Sequence, residues 1–332
     1  MQYIPFGNTG MTVSRFCLGT MGFGAQIDKE RSFSVMAEAM EHGVNFFDTA
    51  ESYGDSEQIV GEFLEGKRDK VFIGTKVFKS RVADGRCGNN SRVNIMHSVE
   101  RSLKLLRTDY IDLYMLHQGD DQTPVEETLS TLDQLVRAGK IRHWGVTNHY
   151  AWQMAYMIGV SNRHSWEPMI SFQTCYNIID RPFELETSAF CEKFNLGTMI
   201  YSPLGGGFLA GKYQRGVAPP EGSRVVKWGA KMLAFHENEN VHDILDELKV
   251  IAQEQGVQIN QLAIMWLLAR PYVSTVILGG SKPEHYTPMY EIADRLLDDE
   301  IVQRIDEIST CQIYKGYRNK RSASAPGLAA QW

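Results

Sequence analysis

Asp48, Tyr53, Lys76 and His117 each stand at or just beyond the end of a short apolar run. Their types suit acid–base work: a carboxylate and an ammonium able to pair, with a phenol and an imidazole able to hold or pass a proton. Each has a plainer reading when taken alone. Asp48 would be a turn cap, Lys76 an exposed charge at a strand end, Tyr53 in Ser52-Tyr53-Gly54 a turn aromatic, and His117 a hydrogen-bonded structural residue. Gathered on one rim they favour a functional site, because ion pairs and perturbed acids concentrate at such places.

The order of elements supplies that rim. Short apolar runs at residues 15–18, 45–48, 71–75, 111–116, 142–146, 171–174, 198–201 and 274–278 read as strands. Amphipathic segments at 29–41, 57–64, 92–106, 125–138, 151–158, 184–194 and 241–254, with another at 261–269, read as helices. Eight strands alternating with helices predict an α/β fold, a (β/α)8 TIM barrel, in which the strand C-termini share one face. On that face Asp48 closes the second strand, Lys76 the third and His117 the fourth, while Thr147 and Asn148 close the fifth. Gln173 lies in the sixth, and Tyr201 with Ser202 closes the seventh. Gly43 marks the end of the first helix, and Thr123-Pro124 opens the fourth in N-cap then N1 order. The turn Gly7-Asn8-Thr9-Gly10 between two short apolar runs predicts an N-terminal β-hairpin that plugs the barrel bottom. Residues 205–240, rich in Gly and Pro, read as one long loop. Residues 1–319 are expected to form a single barrel domain, and 320–332 a flexible C-terminal tail.

Composition excludes several classes. The chain has 332 residues, 43% hydrophobic and 22% charged, which is a packed globular composition rather than a disordered one. With 34 Lys+Arg against 40 Asp+Glu, the net charge of −6 offers no basic footprint for nucleic acid. Five widely spaced cysteines (Cys17, Cys87, Cys175, Cys191, Cys311) show no CxxC and no zinc spacing, so reduced thiols, a cytoplasmic location and no metal are expected. No signal-peptide pattern opens the sequence, and the most apolar stretch, 262–278, is broken by Arg270 and Pro271. No G-x-G-x-x-G follows a strand, which disfavours a Rossmann dehydrogenase.

Three blocks then carry a resemblance. Gly43-Val44-Asn45-Phe46-Phe47-Asp48-Thr49-Ala50 with Tyr53-Gly54, Gly74-Thr75-Lys76, and Asp109-Tyr110-Ile111-Asp112-Leu113-Tyr114-Met115-Leu116-His117 resemble the catalytic blocks of the aldo-keto reductase family. Gly145-Val146-Thr147-Asn148, Gln173 and Tyr201-Ser202-Pro203-Leu204 with Gly211-Lys212 resemble its cofactor blocks. The resemblance runs from Phe6 to about Ile308 and implies reduction of an aldehyde or ketone by NAD(P)H, with Tyr53 as proton donor, Asp48 and Lys76 tuning it and His117 orienting the carbonyl. An isolated Tyr titrates near ~10, so a neighbouring ammonium is expected to favour the phenolate and ease proton delivery.

The cofactor set implied by the resemblance is Gly19, Thr20, Met21, Asp48, Thr147, Asn148, Gln173, Tyr201, Ser202, Pro203, Leu204, Gly206, Lys212, Arg224, Gly279, Ser281, Lys282 and His285. Within it Thr147, Asn148 and Gln173 would hold the nicotinamide amide, Tyr201 would stack on its ring, and Lys212 and Arg224 would approach the pyrophosphate. The block at 279–283 resembles the one that contacts the adenosine 2′-phosphate, so NADP(H) is favoured. The family commonly continues with Gln or Arg four residues after the serine and then Glu-Asn, whereas this chain has His285, Pro288 and Met289, which keeps NAD(H) as the alternative. Expected pocket walls are Tyr53, His117, His149, Tyr150 and Trp228, with Met21, Phe23 and residues 314–318, a mixture suited to a sugar-derived carbonyl or an aromatic aldehyde. Two other readings stand beside this one: an NAD-dependent sugar or alcohol dehydrogenase working oxidatively, and a cofactor-binding regulatory subunit resembling potassium-channel β-subunits. The latter carry Asn at the position of His117, so the full tetrad argues for turnover.

Overall fold

The computed structural model describes residues 1–78, 88–228, 230–280 and 282–310. Its strands are β1 (Tyr3–Pro5), β2 (Thr12–Ser14), β3 (Phe16–Gly19), β4 (Phe46–Asp48), β5 (Phe72–Val77), β6 (Ile111–Leu116), β7 (Ile141–Thr147), β8 (Met169–Cys175), β9 (Gly197–Tyr201) and β10 (Thr275–Leu278). Its α-helices are α1 (Lys29–Glu41), α2 (Ser56–Phe63), α3 (Arg92–Leu105), α4 (Val125–Arg137), α5 (Ala151–His164), α6 (Thr187–Lys193), α7 (Arg224–Trp228), α8 (Ala230–His236), α9 (Glu239–Glu254), α10 (Ile259–Leu268), α11 (Thr287–Tyr290) and α12 (Asp299–Ser309). Strands β3 to β10 close into a barrel in the order β10-β3-β4-β5-β6-β7-β8-β9, which is the (β/α)8 arrangement. The near-continuous apolar runs follow from this closure: covered on both faces, β6 is buried at every position.

Two compact units divide the chain. One comprises Met1–Thr174, Phe190–Tyr201 and Pro271–Asp294, and the other Cys175–Ala189, Ser202–Arg270 and the chain from Arg295 onward. In the first, β1 and β2 pair antiparallel and send Phe6, Met11 and Val13 into a core with Phe46, Leu113 and Met199. Phe6 meets Phe46 edge-on with ring centroids 5.5 Å apart. Glycine is required around this plug: a Cβ on Gly197 would lie 2.7 Å from the Phe6 ring, and one on Gly7, whose φ is +58°, would lie 2.6 Å from the Ile170 carbonyl. The second unit is tied by Arg181, buried and bonded to Glu184 and Asp306 at 2.9 Å each and to Ser309 Oγ at 2.6 Å. The Trp266 ring carries the Arg270 guanidinium at 4.1 Å and that of Arg181 at 4.9 Å.

Helix ends follow local chemistry. Asp28 caps α1 by accepting from Arg31 N, and Gly43, at φ +86°, follows the His42 cap. Pro124, expected at the first helical position, is instead the N-cap of α4 with extended ψ of 129°. The long loop expected over 205–240 is partly helical, holding a 3-10 segment at Gly205–Ala210 and helices α7 and α8. The helix expected over 184–194 is a 3-10 turn, Pro182–Glu184, followed by α6. Cys17, Cys175 and Cys191 are thiols outside any disulfide, while Cys87, Cys311 and the tail at 320–332 lie outside the described residues. Among the described residues no helix is long and apolar enough to cross a membrane.

Candidate active site

Asp48, Tyr53, Lys76 and His117 all belong to the barrel unit, and parallel register brings their elements side by side. Asp48 pairs with Gly74 across β4 and β5, and Lys76 with Met115 across β5 and β6. Lys76 is fully buried, and its ammonium donates to both Asp48 carboxylate oxygens at 2.7 Å and to the Thr49 carbonyl at 2.8 Å. The Tyr53 hydroxyl stands 3.5 Å from the same Nζ, its longest contact. Tyr53 is held in a turn by its N–H to the Ala50 carbonyl, and its ring meets the His117 ring edge-on at 5.9 Å. His117 follows β6 directly and donates its N–H to the Val77 carbonyl at 2.9 Å.

Burial alone would lower the Lys76 pKa, yet the Asp48 carboxylate, the Tyr53 phenol and the hydrogen bonds to both outweigh it and hold the ammonium above its ordinary value. Desolvation likewise dominates at Tyr53 and pushes the phenol up, with Lys76 opposing and Asp48 adding to the rise. The neighbouring ammonium acts on the phenol in the expected direction, favouring the phenolate, and offsets part of the cost of burial.

A second layer surrounds the tetrad within the same unit. Gln173 Nε2 donates to Asp48 Oδ1 at 2.7 Å, so this residue, expected only at the cofactor amide, also holds the carboxylate. Asn148, at φ +59°, donates from Nδ2 to the His117 carbonyl at 3.1 Å and accepts from the Tyr201 hydroxyl at 2.7 Å. Thr20 donates from both N and Oγ1 to the Asp48 carbonyl at 3.0 Å. Gly19 ends β3, and Met21 is exposed. Thr147 Oγ1 is buried with no partner among the described residues. A buried orphan hydroxyl beside side-chain amides is a fit for a carboxamide such as that of nicotinamide, which both donates and accepts.

Other expected residues are placed differently. His149 is buried, with Nδ1 on the Thr147 carbonyl at 2.8 Å, and burial lowers its pKa. Tyr150 is 71% exposed at the start of α5. Gly279, Lys282 and His285 follow β10, with Lys282 and His285 exposed, whereas Pro288 and Met289 fall in α11 and Met289 is buried. In the second unit Ser202, at φ +52°, accepts at its carbonyl from Asn177 Nδ2, and Pro203 and Leu204 lead into the 3-10 segment that holds Gly206. Lys212 is exposed, and Arg224, half-buried, has its guanidinium pKa lowered by desolvation. Ser281, the Trp228 side chain and residues 314–318 lie outside what the structure describes. Glu51, outside the expected set, is buried; its place between Ala50 and Tyr53, the two parts of the first resembling block, was the available signal.

Comparison with known proteins agrees with this arrangement. The sequence profile described as "Aldo/keto reductase family" matches residues 15–310. The chain is 32% identical over 322 residues to "Uncharacterized oxidoreductase YrpG" of Bacillus subtilis (strain 168), covering 93% of this chain and 96% of that protein. It is 33% identical over 324 residues to "Putative voltage-gated potassium channel subunit beta" of Schizosaccharomyces pombe, covering 92% and 93%. It is 34% identical over 320 residues to "Probable voltage-gated potassium channel subunit beta" of Oryza sativa subsp. japonica, covering 93% and 96%. The barrel, the site it carries and these matches make the chain an oxidoreductase of the aldo/keto reductase family, a family that uses nicotinamide cofactors.

Proposed function

We propose that this protein reduces an aldehyde or ketone to the alcohol, with Tyr53 as proton donor. The observation that carries the reading is the saturation of Lys76: a buried ammonium held by Asp48 and Thr49 and facing a phenol serves no packing need, but it would stabilise that phenol as it loses its proton. A bound nicotinamide cofactor supplies the hydride. As negative charge grows on the substrate oxygen, the Tyr53 hydroxyl gives up its proton to it and the Lys76 ammonium meets the charge left on the phenolate. His117 hydrogen-bonds the same oxygen and fixes its direction. Asn148, Gln173 and the buried Thr147 hydroxyl would hold the amide end of the cofactor, and Tyr201 would stack on its ring.

NADPH is the proposed cofactor form, on the resemblance of the block that contains Ser281 and Lys282. The substrate is proposed to be a sugar-derived carbonyl or an aromatic aldehyde. A second reading, a regulatory subunit that binds cofactor without rapid turnover, is favoured by the two relatives named as channel subunits. Fluorescence titration with NADPH and NADH, then turnover on aldehydes and keto-sugars, separates the two. Tight NADPH binding with turnover, and loss of turnover in Tyr53→Phe at unchanged cofactor affinity, is the expected result. Tight binding with no turnover would overturn the enzymatic reading in favour of the subunit, and near-normal turnover by Tyr53→Phe would remove Tyr53 as the donor.

A further inference from the structure

Glu51 is buried two residues before Tyr53, and it fastens the tyrosine turn to the lysine strand. Its backbone N–H donates to the Lys76 carbonyl at 3.3 Å, and its Oε1 accepts the Phe78 N–H at 2.9 Å. The two bonds lie on either side of Val77, so they fix both the position and the direction of the turn as it leaves β4. Oε2 has no partner among the described residues. A buried carboxyl with one bare oxygen is destabilising by itself, and the Phe78 N–H is the hydrogen-bond donor that this side chain holds.

The gap it would govern is the adjustable one. Lys76 Nζ is immobilised by three short bonds, whereas its contact with the Tyr53 hydroxyl sits at 3.5 Å, the outer limit of a hydrogen bond. The far end of the turn is anchored at Ser56, whose hydroxyl bonds the Thr20 and Thr49 hydroxyls at 2.6 and 3.0 Å. At the near end the Thr49 carbonyl is held by Lys76 Nζ, and Glu51 adds its bond to the Phe78 N–H two residues before Tyr53. We propose that Glu51 is a positioning residue whose reach to the Phe78 N–H sets the separation between the Tyr53 hydroxyl and the Lys76 ammonium. This rests on the tetrad's reading as acid–base machinery.

Two conservative variants separate reach from charge. Glu51→Gln keeps an oxygen at the same distance and loses the charge; Glu51→Asp keeps the charge and withdraws the oxygen by one methylene. Glu51→Asp is expected to lower kcat by up to about 100-fold with cofactor Kd unchanged, since a shift of about 1 Å in a reacting group has that scale of effect. Glu51→Gln is expected to restore most of the rate. A second readout needs no turnover: with 13C-labelled tyrosine rings, the Tyr53 resonance, assigned by its loss in Tyr53→Phe, is titrated in each protein. Its pKa should rise in Glu51→Asp as the ammonium recedes and stay in place in Glu51→Gln. An unchanged Tyr53 titration in Glu51→Asp overturns the proposal, as does the reverse order of the variants, which would assign the effect to charge. If the wild-type chain reduces no carbonyl tested, the reductase reading fails, and the titration still decides the role of Glu51.

Discussion

At Lys76 the chain has put a cation where no water reaches it, and the consequence is asymmetric. The ion pair with Asp48 adds little net stability over an apolar pair, but removal of one partner leaves a buried charge uncompensated. Lys76→Met is therefore expected to destabilise the fold by about 3–5 kcal/mol, read from urea unfolding, as well as to abolish reduction. A loss of activity with stability within about 0.5 kcal/mol of the parent, the range typical of surface changes, would mean that Asp48 finds other partners. The tetrad was legible because each member lies at or just beyond a strand end, and a parallel barrel brings strand ends together. Glu51 was not, because a carboxylate in a turn reads as a surface charge unless its burial is seen, and Glu is seldom buried. His149, expected in the pocket wall, is buried with its Nδ1 on the Thr147 carbonyl, a bond that residue spacing alone does not display.

At the level of elements, α2 meets β5 through a buried carboxyl. Glu57 accepts from the Thr75 hydroxyl at 2.7 Å, yet desolvation outweighs that bond and raises its pKa. An acid with a raised folded pKa holds its proton longer in the folded chain than in the unfolded one. Its ionisation therefore costs stability at neutral pH, and the cost vanishes below the unfolded value of about 4.3. Glu57→Gln, which keeps an oxygen for Thr75, is expected to raise the melting temperature at pH 7 and to give no gain near pH 4. A drop in melting temperature at pH 7 would show that the charge itself is needed there. All eight barrel strands could be placed from sequence to within a few residues, because strands covered on both faces are predominantly apolar runs. The short helices α7 and α8 could not, since five and seven residues are too few to display a helical period, and the Gly and Pro before and between them suggested a loop.

For the molecule as a whole, the closed barrel gives the tetrad a rigid frame, and the N-terminal hairpin completes the barrel core. Phe6 is fully buried in that core, so Phe6→Ala is expected to cost about 3–5 kcal/mol in urea unfolding. A cost under about 1 kcal/mol would mean that the plug contributes little to the core. The hairpin was legible from its Gly-Asn-Thr-Gly turn, but the need for glycine at 197 was not, because it arises from the Phe6 ring, far away in the chain. Family membership fixes the barrel and the class of cofactor; the direction of hydride flow is the central claim still to be tested. The most direct measurement supplies the protein with NADPH carrying deuterium at one face of the nicotinamide C4, together with an aromatic aldehyde, and analyses the alcohol by mass spectrometry. One of the two C4-labelled forms is expected to deliver one deuterium to the carbinol carbon in the wild-type protein, and neither in Tyr53→Phe. Alcohol free of deuterium from both forms, or equal transfer by the Tyr53→Phe variant, would contradict it.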